Sequence, residues 1–164
     1  METNTASTRT EGLLALFDLH TTLFERALEG ISEDDRHKRL DTKANHMAWL
    51  AGALVQQRFQ MASEMKHDVR QTGAELFENN KGIQDGAAYP TLTEYIKDWK
   101  AITPHARQAL VEIDDPKLDS NFEMEGMTMT WYELVTFTKY REASMIGQLA
   151  LWRRLLGYPG MRYD

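Results

Sequence analysis

The chain contains no cysteine. Disulfides, thiolate nucleophiles and cysteine-based zinc sites are therefore excluded, and the composition suits a reducing compartment. No apolar run approaches the ~18 residues of a membrane span. The opening "METNTASTRTEG" lacks the apolar stretch of a signal peptide. A cytoplasmic protein with no membrane partner is expected. Net charge is −6, with Lys and Arg scattered along the chain. Nonspecific nucleic-acid binding relies on clustered cations that neutralise phosphates, so no nucleic-acid partner is expected, and the acidity reads as a solubility feature. A Gly-rich phosphate loop and a Gly-x-Ser-x-Gly nucleophile elbow are also absent.

What is present is helical periodicity. The 164 residues fit one domain, with residues 1–9 polar and expected to be frayed. Leu13, Phe17, His20, Phe24, Ala27 and Ile31 recur at spacings of three and four, flanked by Leu16 and Leu23, which predicts an amphipathic helix over residues 11–31. Ser32 then caps a short polar turn. A second helix is expected over residues 43–67, with Met47, Leu50, Leu54, Met61 and Met65 as its apolar stripe, bordered by Trp49 and Ala53. A Gly/Asn/Asp-rich connection of some twenty residues follows, read as a crossover. Thr91 and Glu94 open a third helix with a capping box. Pro104 lies inside that helix and predicts a kink or restart near Thr103. "FEMEGMTM" alternates around Glu125-Gly126 like a small β-ribbon. A second capping box, Thr130 to Glu133, opens the last helix, which stops at Gly157. The expected fold is all-α: a four-helix bundle with a long connection between helices 2 and 3 and a β-ribbon before helix 4.

On the last helix, Trp131, Leu134, Thr138, Arg141, Met145, Gln148, Trp152 and Leu155 form one stripe, apolar at its ends and polar in its middle. An arginine in a bundle seam costs several kcal/mol unless it is paired or reaches water. Arg141 therefore meets a carboxylate, snorkels to an opening, or lines a wet cavity where it could hold a ligand.

"EASMIGQLALWRRLLGYPG" resembles the last helix of the DinB/YfiT-like superfamily, in which a His-x-x-x-His pair precedes Gly-Gln-Leu and a run ending in Leu-Gly. The resemblance extends over the order of four helices, the long connection and the ribbon. It implies a divalent metal site, with a third histidine in a Trp-Leu-x-Gly-His-Leu segment of the second helix. It also implies transferase or isomerase chemistry with low-molecular-weight thiols. Here the first histidine of the pair falls on Arg141, the second on Met145, and the second-helix segment reads "WLAGALV", placing Ala53 at the third position. Arginine and alanine cannot coordinate a divalent metal, and a thioether prefers soft ions. No metal and no cofactor are therefore expected at these positions.

His20 and His46 are the remaining candidates for a relocated metal site. Without a third ligand of suitable spacing, His20 reads as a hydrogen-bonded core histidine and His46 as a helix-start residue. His37, His67 and His105 read as surface residues. Trp49 and Trp152 either pack the core or wall a cavity around Arg141. Three functions follow as expectations. The first is a metal-free bundle binding a small, anionic molecule, with Arg141, Met145, Ala53, Thr138, Trp49 and His20 as ligand-binding candidates. The second is a structural or interaction module that forms a homodimer. The third is a metal-dependent thiol transferase-like enzyme with relocated ligands. Catalytic residues are not identifiable in the sequence.

Overall fold

The computed structural model describes residues 5–64, 70–124 and 126–164. It is mostly helical. Four long helices, α1 (Glu11–Leu28), α2 (Met47–Glu64), α3 (Leu92–Glu112) and α5 (Trp131–Leu155), are joined by a short α4 (Asp115–Asp119) and an antiparallel ribbon of β1 (Asn121–Met124) and β2 (Met127–Thr130). Each long helix packs on two others: α1 on α3 and α5, and α2 on α3 and α5. The core is a single cluster of buried side chains drawn from all four, including Phe17, Phe24, Leu50, Leu54, Trp99, Leu110 and Leu149.

The helix ends follow local chemistry. Both capping boxes form, Thr91 with Glu94 and Thr130 with Glu133. Helix α1 stops at Leu28, short of residue 31, and Gly30 takes φ 71° just beyond it. Its last carbonyls are satisfied by Arg153 of α5, which donates to Ala27 O at 3.1 Å and Glu29 O at 2.6 Å, placing a cation at the negative end of the helix. Helix α2 begins at Met47 rather than residue 43. His46 caps it, its Nδ1 accepting from the Trp49 amide at 3.1 Å. Met65 and His67, assigned to this helix from the sequence, lie outside the described residues, as does Glu125 of the ribbon turn.

Two further expectations are revised, on Pro104 and on residues 5–9. Helix α3 runs through Pro104 without a restart. Pro104 and Lys100 are both exposed, so the carbonyl freed one turn earlier lies on the solvent side, where water can satisfy it. Residues 5–9 are tied down rather than frayed. Ala6 N–H donates to Val111 O at 2.8 Å, Ser7 Oγ donates to Asp115 at 2.5 Å, and Arg9 pairs with Asp119 at 2.7 Å. The long connection carries two 3₁₀ turns, Ala74–Leu76 and Glu78–Asn80. Between them Phe77 reaches Gly52 of α2, where a Cβ would stand 2.3 Å from the Phe77 ring and 2.5 Å from the Tyr95 hydroxyl. Gly52 thus lets α2, α3 and the connection meet. The ribbon pairs Phe122 with Met129 and Met124 with Met127. Phe122 meets Trp131 edge-on at 5.1 Å, docking the ribbon on the start of α5.

Candidate functional site

The polar seam exists, but on a different stripe of α5. The residues that enter the core are Trp131, Val135, Lys139, Glu142, Met145, Ile146, Leu149, Trp152 and Arg153. Leu134, Thr138 and Arg141 lie beside that stripe and face a cleft, while Gln148 and Leu155 are exposed. The two stripes share Trp131, Met145 and Trp152 and diverge between them, where the core side carries Lys139 and Glu142 and the other side Arg141 alone, so hydropathy selects the side with fewer charges. The selection fails because the charges in the core are paired.

Glu142 is fully buried and sits at the centre of the pairing. Its Oε1 accepts from Arg58 Nε at 3.1 Å, and its Oε2 accepts from Lys139 Nζ at 2.8 Å and His20 Nδ1 at 3.1 Å. Arg58 comes from α2 and is 1% exposed. Its remaining donors reach Thr21 Oγ1 and Thr103 Oγ1, both at 2.8 Å, and Phe17 O at 3.3 Å. Its guanidinium lies 3.8 Å from the Phe17 ring centre and 3.5 Å from that of Trp99, a double cation–π contact. Burial pulls the Arg58 guanidinium down to about 10 and lowers the Lys139 amine as well. Burial would raise the Glu142 carboxyl, but the His20 hydrogen bond and the two cations outweigh it and hold that group well below the usual carboxylate range. Two cations thus share one carboxylate, and Lys139 Nζ also stands 4.5 Å from the Phe17 ring centre.

All four charged or titratable members of this cluster, His20, Arg58, Lys139 and Glu142, are buried. Its members do not line the large cleft, and outside the cluster the polar contacts of Arg58 among the described residues extend only to Phe17 O and the part-buried hydroxyls of Thr21 and Thr103. It is a structural device joining α1, α2, α3 and α5. Sequence reading placed His20 here correctly as a core position but missed Arg58. The available signal was the stripe Met47, Ala51, Leu54, Arg58, Ala62 on α2, apolar at every position but one.

The cleft, about 790 Å³ in volume, opens between α2, α5, the ribbon and the connection. Trp49 and Ala53 of α2, Thr138 and Arg141 of α5, Phe77 of the connection and the ribbon methionines line it. Four of the six sequence candidates therefore meet on one wall. Met145 does not join them, being 5% exposed in the core, and His20 belongs to the buried cluster. Trp152 is buried too, its indole N–H donating to Asn45 O at 2.8 Å.

Arg141 is partly buried at the cleft wall. Its Nη1 donates to Gln57 Oε1 at 2.9 Å, while Gln57 Nε2 donates to Thr138 O at 3.0 Å. The second bond sets the orientation of the amide, so that its oxygen faces the guanidinium. No carboxylate among the described residues forms an ion pair with Arg141. Burial alone lowers its pKa.

Ala53, Arg141 and Met145 do not fit the divalent metal that the family resemblance implies: one cannot reach, one is a cation, and one is a core thioether. Among the described residues no group of three or more His, Cys, Asp or Glu side chains could hold a metal ion. The two histidine candidates for a relocated site belong to separate clusters. His20 bonds Glu142, whereas His46 packs against His37 and Tyr89, with ring centres 4.9 and 5.0 Å away. His46 is 6% exposed, and burial together with the positive charge His37 can carry lowers its pKa to about 4. His37 and His105 are exposed, and His67 lies outside the described residues. No helix of the described residues is long and apolar enough to cross a membrane. No protein-family model matches the sequence, and no curated protein matches it.

Proposed function

We propose that the chain is a DinB-like four-helix bundle that binds a small anionic molecule, without a metal, in the cleft beside Arg141. The observation that carries this reading is the state of that guanidinium. It is partly removed from water, it has no carboxylate partner among the described residues, and its hydrogen bond goes to a neutral amide. A cation that has lost hydration without a counter-charge is a standing attraction for an anion. The size of the cleft and its mixture of aromatic walls with a few polar groups support binding of a small molecule. The pairwise packing of the four long helices and the adjacency of Ala53 and Arg141, where the resemblance implies metal ligands, support the DinB-like reading. Thermal shifts of wild type and Arg141→Leu against a broad anion panel test it. Anions that stabilise the wild type and not the variant are expected; a panel that never separates the two proteins would sink the proposal.

A second reading, an interaction module that pairs as a homodimer, has one observation in its favour. The outer face of α5 leaves Tyr140 68%, Leu151 56% and Leu155 53% exposed, large apolar side chains that a second copy would cover. Sedimentation equilibrium showing only monomer at tens of micromolar would remove it.

A further inference from the structure

We infer that the anion is a monocarboxylate with a flexible apolar tail, its head on Arg141 and its tail against the ribbon methionines; this rests on the cleft being an anion site.

The first argument is charge. Arg141 is the cation of the cleft's inner wall, and Lys81 stands exposed at the rim. The carboxylate of Glu133 also lines the cleft, held at the start of α5 by the Thr130 amide at 2.7 Å and hydroxyl at 3.0 Å. The positive end of that helix is thus already answered by an acid, which repels a dianion such as a phosphate group. One negative charge is what the inner wall can match.

The second argument is donor geometry. Nη1 of Arg141 is occupied by Gln57, which Thr138 O holds in place. Nε and Nη2 make no hydrogen bond among the described residues. That free edge of the guanidinium is the one that takes a planar carboxylate in two parallel bonds. Because the amide fixes the guanidinium beforehand, little rotamer freedom remains to be lost on binding.

The third argument is the rest of the lining. The remaining lining includes Met124, Met127 and Met129 of the ribbon, with Phe77 of the connection and Phe137 of α5. Met124 is 41% and Met127 52% exposed, a cost in water that an apolar occupant would remove. Unbranched thioethers adapt their rotamers to a guest, which fits a tail of rotatable methylenes better than a rigid polar ring. A compact anion would leave this surface bare.

Calorimetric titration of the full chain with decanoate, below its micellar concentration, tests the inference against decanol and inorganic phosphate as separate probes. Saturable decanoate binding is expected, weakened at least tenfold by Arg141→Gln and several-fold by Met127→Glu, with decanol at least tenfold weaker and no heat from phosphate. Both variants should still unfold cooperatively in urea, which separates lost binding from lost folding. Phosphate binding that depends on Arg141, with no decanoate binding, would overturn the inference and leave the anion-site reading standing. Decanoate binding unchanged by Arg141→Gln, or no binding by any probe, would overturn both.

Discussion

Glu142 ties together three buried groups, Arg58, Lys139 and His20, from three helices. Glu142→Gln leaves Arg58 and Lys139 without a counter-ion, and a loss of about 3–5 kcal/mol is expected by urea denaturation. Lys139→Met should behave differently. It removes the surplus cation while Arg58 and His20 still satisfy the carboxylate, so a change within about 1 kcal/mol is expected. A Lys139→Met loss as large as that of Glu142→Gln would mean that the amine is essential to the balance. Arg141, one position before Glu142, illustrates the opposite case. It was legible in the sequence as an arginine near the interior, but its partner was not, since Gln57 lies 84 residues away in the chain. Charges on one helix reveal that a partner is needed; which element supplies it depends on packing.

At the scale of elements, Gly52 and His46 set where α2 sits. Gly52→Ala forces a methyl into the Tyr95 and Phe77 rings, and overpacking of this kind costs ~1–3 kcal/mol, partly offset by the better helix propensity of alanine. The Tyr95 hydroxyl is buried and has no hydrogen-bond partner among the described residues, so Tyr95→Phe should be neutral or stabilising. It should also restore part of the Gly52→Ala loss, seen as non-additive urea midpoints in the double variant. The starts of α1, α3 and α5, the ribbon and both capping boxes were legible because they depend on near neighbours in the chain. The start of α2 was not, since an imidazole cap is rare and works only where tertiary burial keeps the ring neutral. The unbroken path through Pro104 was equally hidden: whether a proline ends a helix depends on which side faces water.

For the whole molecule, stability should fall on acidification in two steps. His46 must be neutral at Nδ1 to cap α2, and its folded pKa of about 4 lies below the ordinary 6.5. The unfolded chain therefore binds the extra proton between those values, and the contribution, at most about 3 kcal/mol, is complete above pH 6.5 and lost as pH falls towards 4. His37, Arg36 and Arg39 are the charged neighbours that share this region. Glu142, whose folded pKa is depressed, contributes stability above the normal carboxylate range and loses it only below that range. His46→Asn keeps an amide-accepting cap without a titrating ring. It should lower stability at pH 7 but flatten the slope between pH 6.5 and 4, measured by urea midpoints across pH; an unchanged slope would assign the titration elsewhere. The sequence by itself determined the helical class, the caps, the ribbon and the existence of charged groups near the interior, because those rest on local hydrogen bonds and periodicity. Only the tertiary structure decided which α5 stripe faces inward, since that choice turns on Arg58 and His20, from two other helices, neutralising and hydrogen-bonding Glu142 where water cannot reach.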